Sequence, residues 1–212
     1  MISKVDALIF DMDGTLWDGV DAYAMGFNDY FKANNIDRLI DRNDLFMYMG
    51  LQEEEYLQKI FPELIPDKRK IVYSEIVEYQ YERIKSDGGI LYEGVKKGLL
   101  ELSLKYKLFI VSNCPELTIQ HFMKWAGIEK VITDTICYGM NYKPKHQNIK
   151  YLIEKHNLIS PVYIGDTDSD RKQCELIHIP FAFVSYGFGT TENYCCKFNT
   201  FQELANAFIN ND

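Results

Sequence analysis

The 212-residue chain has no C-x-x-C pair, no cysteine followed six positions later by arginine, no G-x-x-x-x-G-K-[ST] loop and no run of Lys and Arg longer than three residues. Each absence removes a class of function. Its five cysteines are an odd number, with Cys195 and Cys196 adjacent, so neither a zinc site nor a redox dithiol is indicated and reduced, mostly buried thiols are expected. A thiol phosphatase and a P-loop nucleotide enzyme lack their signatures, and "GFG" at 187–189 lacks the third glycine and following helix of a dinucleotide site. A net charge of -8 offers nothing to a DNA or RNA backbone, and "DKRK" at 67–70 reads as a solvated helix turn, so no nucleic-acid partner is expected. The opening "MISKVDALIFDMD" is broken by Lys4, Asp6 and Asp11; it holds neither the apolar core of a signal peptide nor a span of about 18 apolar residues, so no membrane partner and a cytoplasmic protein are expected. His121, His146, His156 and His178 show no metal-ligand spacing.

What is present is a chain that is 47% hydrophobic and 25% charged, enough to bury a core in one domain with an insertion or in two small ones. Residues 5–10, "VDALIF", read as a strand buried on both faces. From about Asp18 to Ser86 the pattern turns helical, with Tyr23, Phe27, Tyr30 and Phe31 spaced by threes and fours, then Ile71, Ile76, Tyr79 and Ile84 likewise. The paired glycines Gly88 and Gly89 mark a linker back to the first region. Helix then alternates with strand through "KLFIVSN", "KVITDTICYG", "VYIGD" and "FAFVSYG". That alternation implies an α/β fold with a parallel sheet and right-handed crossovers.

In such sheets ligands sit beyond the carboxyl ends of the strands. Asp11 and Asp13 stand at the end of the first strand, Ser112 and Asn113 at the end of "LFIVSN", Lys143 after the third strand, and Asp166, Asp168 and Asp170 in "GDTDSD". Carboxylates crowded on one partly buried rim repel one another and are driven to protonate unless a divalent cation holds them ionised. Magnesium suits such hard oxygen ligands and bridges them to phosphate, and a lysine and a hydroxyl nearby complete an anion site. Singly each motif has a duller reading: Asp-Gly is a common turn, Ser and Asn cap helices, and "GDTDSD" starts a helix.

Taken together, "DMDGT" at 11–15, "VSN" at 111–113, "KPK" at 143–145 and "GDTDSD" at 165–170 resemble the four ordered motifs of the haloacid dehalogenase-like hydrolase superfamily. The helical insertion after the first motif resembles the four-helix cap of its phosphoglycolate-phosphatase and beta-phosphoglucomutase-like branch. The resemblance implies a Rossmann-like, doubly wound parallel sheet core (residues 1–16 and 90–212) with the first strand central, and an inserted all-helical cap domain (17–89). It implies a magnesium-dependent phosphatase acting on a small phosphorylated metabolite. Asp11 would be the nucleophile that becomes an aspartyl phosphate, Asp13 the general acid and base, and Lys143 the lysine balancing nucleophile and phosphoryl group. Thr15 would help orient the site and, with Ser112 and Asn113, bind substrate; Asp11, Asp166, Asp170 and the carbonyl of Asp13 would hold Mg2+, with Asp168 at a variable position.

Asp13 speaks for phosphate chemistry over dehalogenation, which needs no acid at that position. A phosphomutase of the beta-phosphoglucomutase type and a non-catalytic phosphometabolite-binding protein remain open at this point. Trp17, Asp18 and Gly19 stand at one hinge of the cap, and Gly88, Gly89 and Tyr92 near the other. The segment from Met47 to Gln52 is expected to reach the pocket; the alternative is that it packs between cap helices.

Overall fold

The computed structural model describes residues 4–210. Six parallel strands form one sheet: β1 (Ala7–Phe10), β4 (Lys107–Ser112), β5 (Asp134–Cys137), β6 (Pro161–Gly165), β7 (Phe181–Val184) and β8 (Cys196–Phe198). Their order is β5-β4-β1-β6-β7-β8, so β1 is central and the strand order reverses across it, with β4 on one side and β6 on the other. All four residues of β1 are fully buried because both sheet faces are covered. Alternation splits the strand. Leu8 and Phe10 pack with Leu99, Phe122 and Phe201, from helices α5 (Val95–Leu102), α6 (Thr118–Ala126) and α10 (Phe201–Ile209). Ala7 and Ile9 pack with Ile149, Leu152 and Cys174, from α8 (Lys145–His156) and α9 (Asp168–Glu175) on the opposite face. This is the doubly wound α/β architecture that the alternating pattern implied.

The chain leaves the sheet at Phe10 and returns through a two-residue ribbon, β2 (Trp17–Asp18) paired antiparallel with β3 (Ile90–Leu91). Between them lie four helices: α1 (Val20–Ala33), α2 (Arg42–Phe46), α3 (Glu53–Ile60) and α4 (Pro66–Ser86). Tyr23, Phe27, Tyr30 and Phe31 form the buried face of α1, as their spacing predicts. Gly26 lets α1 lie against α4: a Cβ there would stand 2.8 Å from the Gln80 backbone. The inward face of α4 is Tyr73, Ile76, Val77, Gln80, Tyr81 and Ile84. Ile71, expected on that face, is 60% exposed, because it stands two residues from Tyr73 and so about 200° round the helix. Tyr79 is only half-buried.

Beyond "FAFVSYG" the sheet gains β8, and α10 packs back on β1. β8 is three residues long and nowhere fully buried, so it carries almost no periodic signal. α10 is better marked: the Thr200 hydroxyl accepts the Glu203 N–H at 3.1 Å as its cap, and Phe201, Leu204, Ala205 and Phe208 face inward. Among the described residues no helix is long and apolar enough to cross a membrane.

Candidate active site

The rim at the carboxyl ends of β1, β4 and β6 gathers most of the residues singled out in the sequence. Asp11 directly follows β1 and is fixed through its own backbone, whose N–H donates to the Ile164 carbonyl at 2.8 Å; its Oδ1 accepts the Met12 N–H at 2.8 Å. The chain then turns sharply, with the Leu16 N–H bonded to the Met12 carbonyl at 2.9 Å. Gly14 makes this turn possible. Its φ of +79° is left-handed, and a Cβ would meet the Asp166 carboxylate at 2.2 Å.

Asp166 follows β6 and is completely buried. Its Oδ1 accepts the Thr15 hydroxyl at 3.2 Å and its Oδ2 the Phe188 N–H at 2.7 Å. Asp170 lies one turn into α9, where Thr167 caps the helix; Asp170 Oδ2 accepts the Thr167 hydroxyl at 2.6 Å. Oxygens of Asp11, Asp166 and Asp170 lie within 4.8 Å of one another, all buried. Asp168 points elsewhere. It pairs with Arg171 and Lys172 at the surface, which hold its carboxyl well below the usual range.

The lysine at this rim is Lys145, and the assignment of Lys143 is corrected. Lys145 Nζ lies 3.0 Å from Asp11 Oδ2 and 2.6 Å from Asp170 Oδ1, and its side chain is 3% exposed. Lys143 is exposed; its N–H is held by Asn141 Oδ1 at 2.9 Å in the turn before the helix. Both lysines of "KPK" fit the sequence pattern. Pro144 separates them as the extended N-cap of α8, so Lys145 opens the helix facing the sheet while Lys143 stays outside.

Thr15 is fully buried and its hydroxyl donates to Asp166, the contact of a residue that orients the site, and it is not among the residues that line the cleft. Ser112 and Asn113 do line the cleft, together with Asp11, Asp13 and Lys145. The Asn113 side-chain amide donates to the Gly50 carbonyl at 3.3 Å, joining the core rim to the helical insertion. Tyr48, Met49, Gly50 and Leu51 line the same cleft, so the segment after α2 reaches it, whereas Met47 is 70% exposed.

Asp13 stands apart from the buried three. Its Oδ1 accepts both the Trp17 indole N–H at 3.1 Å and the Tyr23 hydroxyl at 2.8 Å. Burial pushes its carboxyl up to about 6, against the pull of those two hydrogen bonds. Tyr23 is a partner that sequence reasoning missed, since its helical spacing marks it only as core. Gly187 is another: a Cβ there would meet the Gly14 carbonyl at 2.2 Å, and this contact lets the Phe188 amide reach Asp166.

The electrostatics follow from three carboxylates sharing one ammonium. Burial pushes Asp11 well above the carboxylate range; Lys145 pulls it back, while Asp170 and Asp166 push it further. Burial and the Asp170 charge push Asp166 up to about 7. Burial opposes the charge on Lys145, but the Asp11 and Asp170 carboxylates hold its pKa above the ordinary lysine value. One cation is too few for this cluster. A hard divalent ion with oxygen ligands fits the donors present, and its charge would let all three acids stay ionised.

Fold and rim together define a Rossmann-like α/β protein with an acidic, capped site at its topological switch point. The haloacid dehalogenase-like hydrolase family matches residues 8–184, and the chain belongs to that family; it is an enzyme, a hydrolase. Similar proteins include a phosphoglycolate phosphatase of Colwellia psychrerythraea, 24% identical over 225 residues and covering 96% of each chain. A pyrophosphatase PpaX of Listeria monocytogenes is 29% identical over 176 residues, covering 80% of this chain and 78% of that one. Among solved structures, a predicted phosphoglycolate phosphatase from Haemophilus somnus superposes with a TM-score of 0.82 at 21% identity, covering 98% of this chain and 99% of its own. That last likeness concerns the fold.

Proposed function

We propose that the protein is a magnesium-dependent phosphatase that hydrolyses a small phosphomonoester through an aspartyl phosphate on Asp11, with the helical segment 17–89 acting as its cap domain. The observation that carries this reading is the division of labour between two aspartates two residues apart. Asp11 is locked among acids and a buried lysine; Asp13 is turned into the cleft, with only one of its oxygens held by side chains of the described residues. The names of the relatives, phosphatase and pyrophosphatase, agree with phosphorus as the centre attacked.

Asp11, Asp166 and Asp170, with the main-chain carbonyl of Asp13, would hold Mg2+, which when bound neutralises charge on the phosphoryl oxygens. The chain's own residues do the rest. Asp11 attacks phosphorus as the bond to the alcohol oxygen breaks, and Lys145 balances the charge shared by nucleophile and phosphoryl group. Asp13, raised to about 6, keeps a proton available at its unheld oxygen and delivers it to the departing alcohol. It then takes a proton from the water that attacks the phosphorus of the aspartyl phosphate, releasing inorganic phosphate and restoring Asp11. Ser112 and Asn113, at the end of β4, offer hydrogen bonds to phosphoryl oxygens. The transition state is loose, so positioning and charge balance supply most of the rate.

The test is hydrolysis of p-nitrophenyl phosphate with and without magnesium. Turnover should require the metal and fall by a factor of about 10³ or more in Asp11→Asn. Metal-independent turnover, or full activity in Asp11→Asn, would refute the reading.

A further inference from the structure

The wall of the cleft facing the catalytic rim is built from Tyr48, Met49, Glu53, Tyr56, Tyr73 and Gln80, all contributed by the helical insertion. Lys145 is the one Lys or Arg among the described residues lining the cleft, and it is already paired with Asp11 and Asp170. Nothing on the opposite wall offers a positive charge. Instead the hydroxyls of Tyr48, Tyr56 and Tyr73 make no hydrogen bond to any described residue, and the Glu53 carboxylate has neither an ion pair nor a hydrogen bond there. These oxygens stay open to water in the cleft, and a ligand that displaces that water must replace its hydrogen bonds, so four together on one wall favour a ligand that supplies the partners.

Glu53 is informative because its position is not needed for the helix it begins. Three glutamates, Glu53, Glu54 and Glu55, occupy the first turn of α3, where any acid complements the helix dipole. Glu54 and Glu55 do so from solvent, while Glu53 is half-buried in the cleft. Burial raises its pKa, against the influence of Lys70, which lies with Glu53 and Tyr73 in a separate opening outside the cleft. A departing group that takes its proton from Asp13 meets the Glu53 carboxylate and the phenol hydroxyls on the wall supplied by the insertion.

We propose that the alcohol released by this enzyme carries no negative charge and donates hydrogen bonds, as a polyol or an amino alcohol does, with Glu53 and the hydroxyls of Tyr48, Tyr56 and Tyr73 receiving it. The proposal rests on the phosphatase reading above. A carboxylate or a second phosphate on the leaving group would bring a further anion against Glu53, and no Lys or Arg of the insertion lines the cleft to meet it. A hydroxyl or ammonium would satisfy Glu53 and the phenols at once, the ammonium also lying against tyrosine faces. This chain would then differ in substrate from relatives whose names specify phosphoglycolate or pyrophosphate.

The test compares kcat/KM for glycerol phosphate, phosphoethanolamine, phosphoglycolate and pyrophosphate in the wild type, in Glu53→Gln and in the solvent-facing control Glu54→Gln, all with magnesium. The wild type and the control should favour at least one of the first pair over both of the second by roughly 10-fold or more. Glu53→Gln should shrink that ratio by about threefold or more. A selective loss on phosphoethanolamine in Glu53→Gln would identify the amino alcohol; an equal loss on both would identify the polyol. Preference for phosphoglycolate or pyrophosphate in the wild type, or an unchanged ratio in Glu53→Gln, would overturn the proposal.

Binding of the same four compounds to Asp11→Asn, measured by calorimetry, separates this proposal from the reading beneath it. At least one of glycerol phosphate and phosphoethanolamine should bind more tightly than phosphoglycolate and pyrophosphate even without turnover. Tighter binding of the anionic pair, or no binding of any compound, would overturn the substrate class. Loss of p-nitrophenyl phosphate hydrolysis in the wild type would overturn the phosphatase reading itself.

Discussion

On the proposed mechanism, Lys145 divides its work between stability and chemistry. It is a buried ammonium held by two buried carboxylates, so it is charged and its aim is fixed. Lys145→Met should lower kcat by a factor of about 10² or more, the usual loss when a positioned charge is removed from a phosphoryl site, and Lys143→Ala should stay within about twofold of wild type. Steady-state kinetics on p-nitrophenyl phosphate decides this, and a larger loss in Lys143→Ala would reverse the assignment. On the same mechanism Tyr23 acts one step further from the chemistry, as a positioning residue for Asp13. Tyr23→Phe should reduce kcat by about tenfold with KM changed little, because it loosens the acid without touching the phosphoryl group. A rise in KM with unchanged kcat would instead place Tyr23 in substrate binding. None of this was legible in Tyr23 itself, whose spacing matches Phe27, Tyr30 and Phe31; only the fold shows that its hydroxyl leaves the apolar face.

Elements carry these residues, and their joints have energetics of their own. α8 brings Lys145 to the rim and docks its far end on β5, where Asp134 accepts Lys155 Nζ at 2.8 Å and His156 Nε2 at 2.7 Å. Burial pushes Asp134 up, but these bonds and the Thr135 N–H outweigh it and hold its pKa below the ordinary 3.8. A depressed acid contributes stability above its unfolded pKa and loses it as pH falls through the folded value. Asp134→Asn should therefore cost about 1 kcal/mol in urea unfolding at pH 7, and progressively less as the pH is taken below 3.8 and through the depressed folded pKa. An equal cost across that range would show that packing, not charge, joins α8 to β5. The main elements were legible because their periods are clean: four apolar residues for β1, threes and fours for α1. β8 was not, being short and half-exposed. Ile71 misled because the apolar residues of α4 outnumber those its partner helix can cover.

At the scale of the whole molecule, function follows from topology. Reversal of strand order across β1 opens one crevice, and contributions from β1, β4, α8 and β6 meet there, bringing together Thr15 and Asp166, which are 151 residues apart. The order of the motifs made that convergence legible, as well as the identities of Asp11, Asp13, Ser112, Asn113, Asp166 and Asp170. Which lysine of "KPK" turns inward depends on one helix boundary, and sequence does not fix such boundaries to a residue. The wall supplied by the insertion was beyond reach because its tyrosines are spaced like core. The most direct test of the account is an acid quench of the enzyme during turnover with magnesium, followed by mass mapping of its peptides. A phosphoryl group on the peptide containing Asp11, absent when magnesium is withheld, is the result expected. Steady magnesium-dependent hydrolysis with no phosphoryl group on that peptide at any quench time would contradict it.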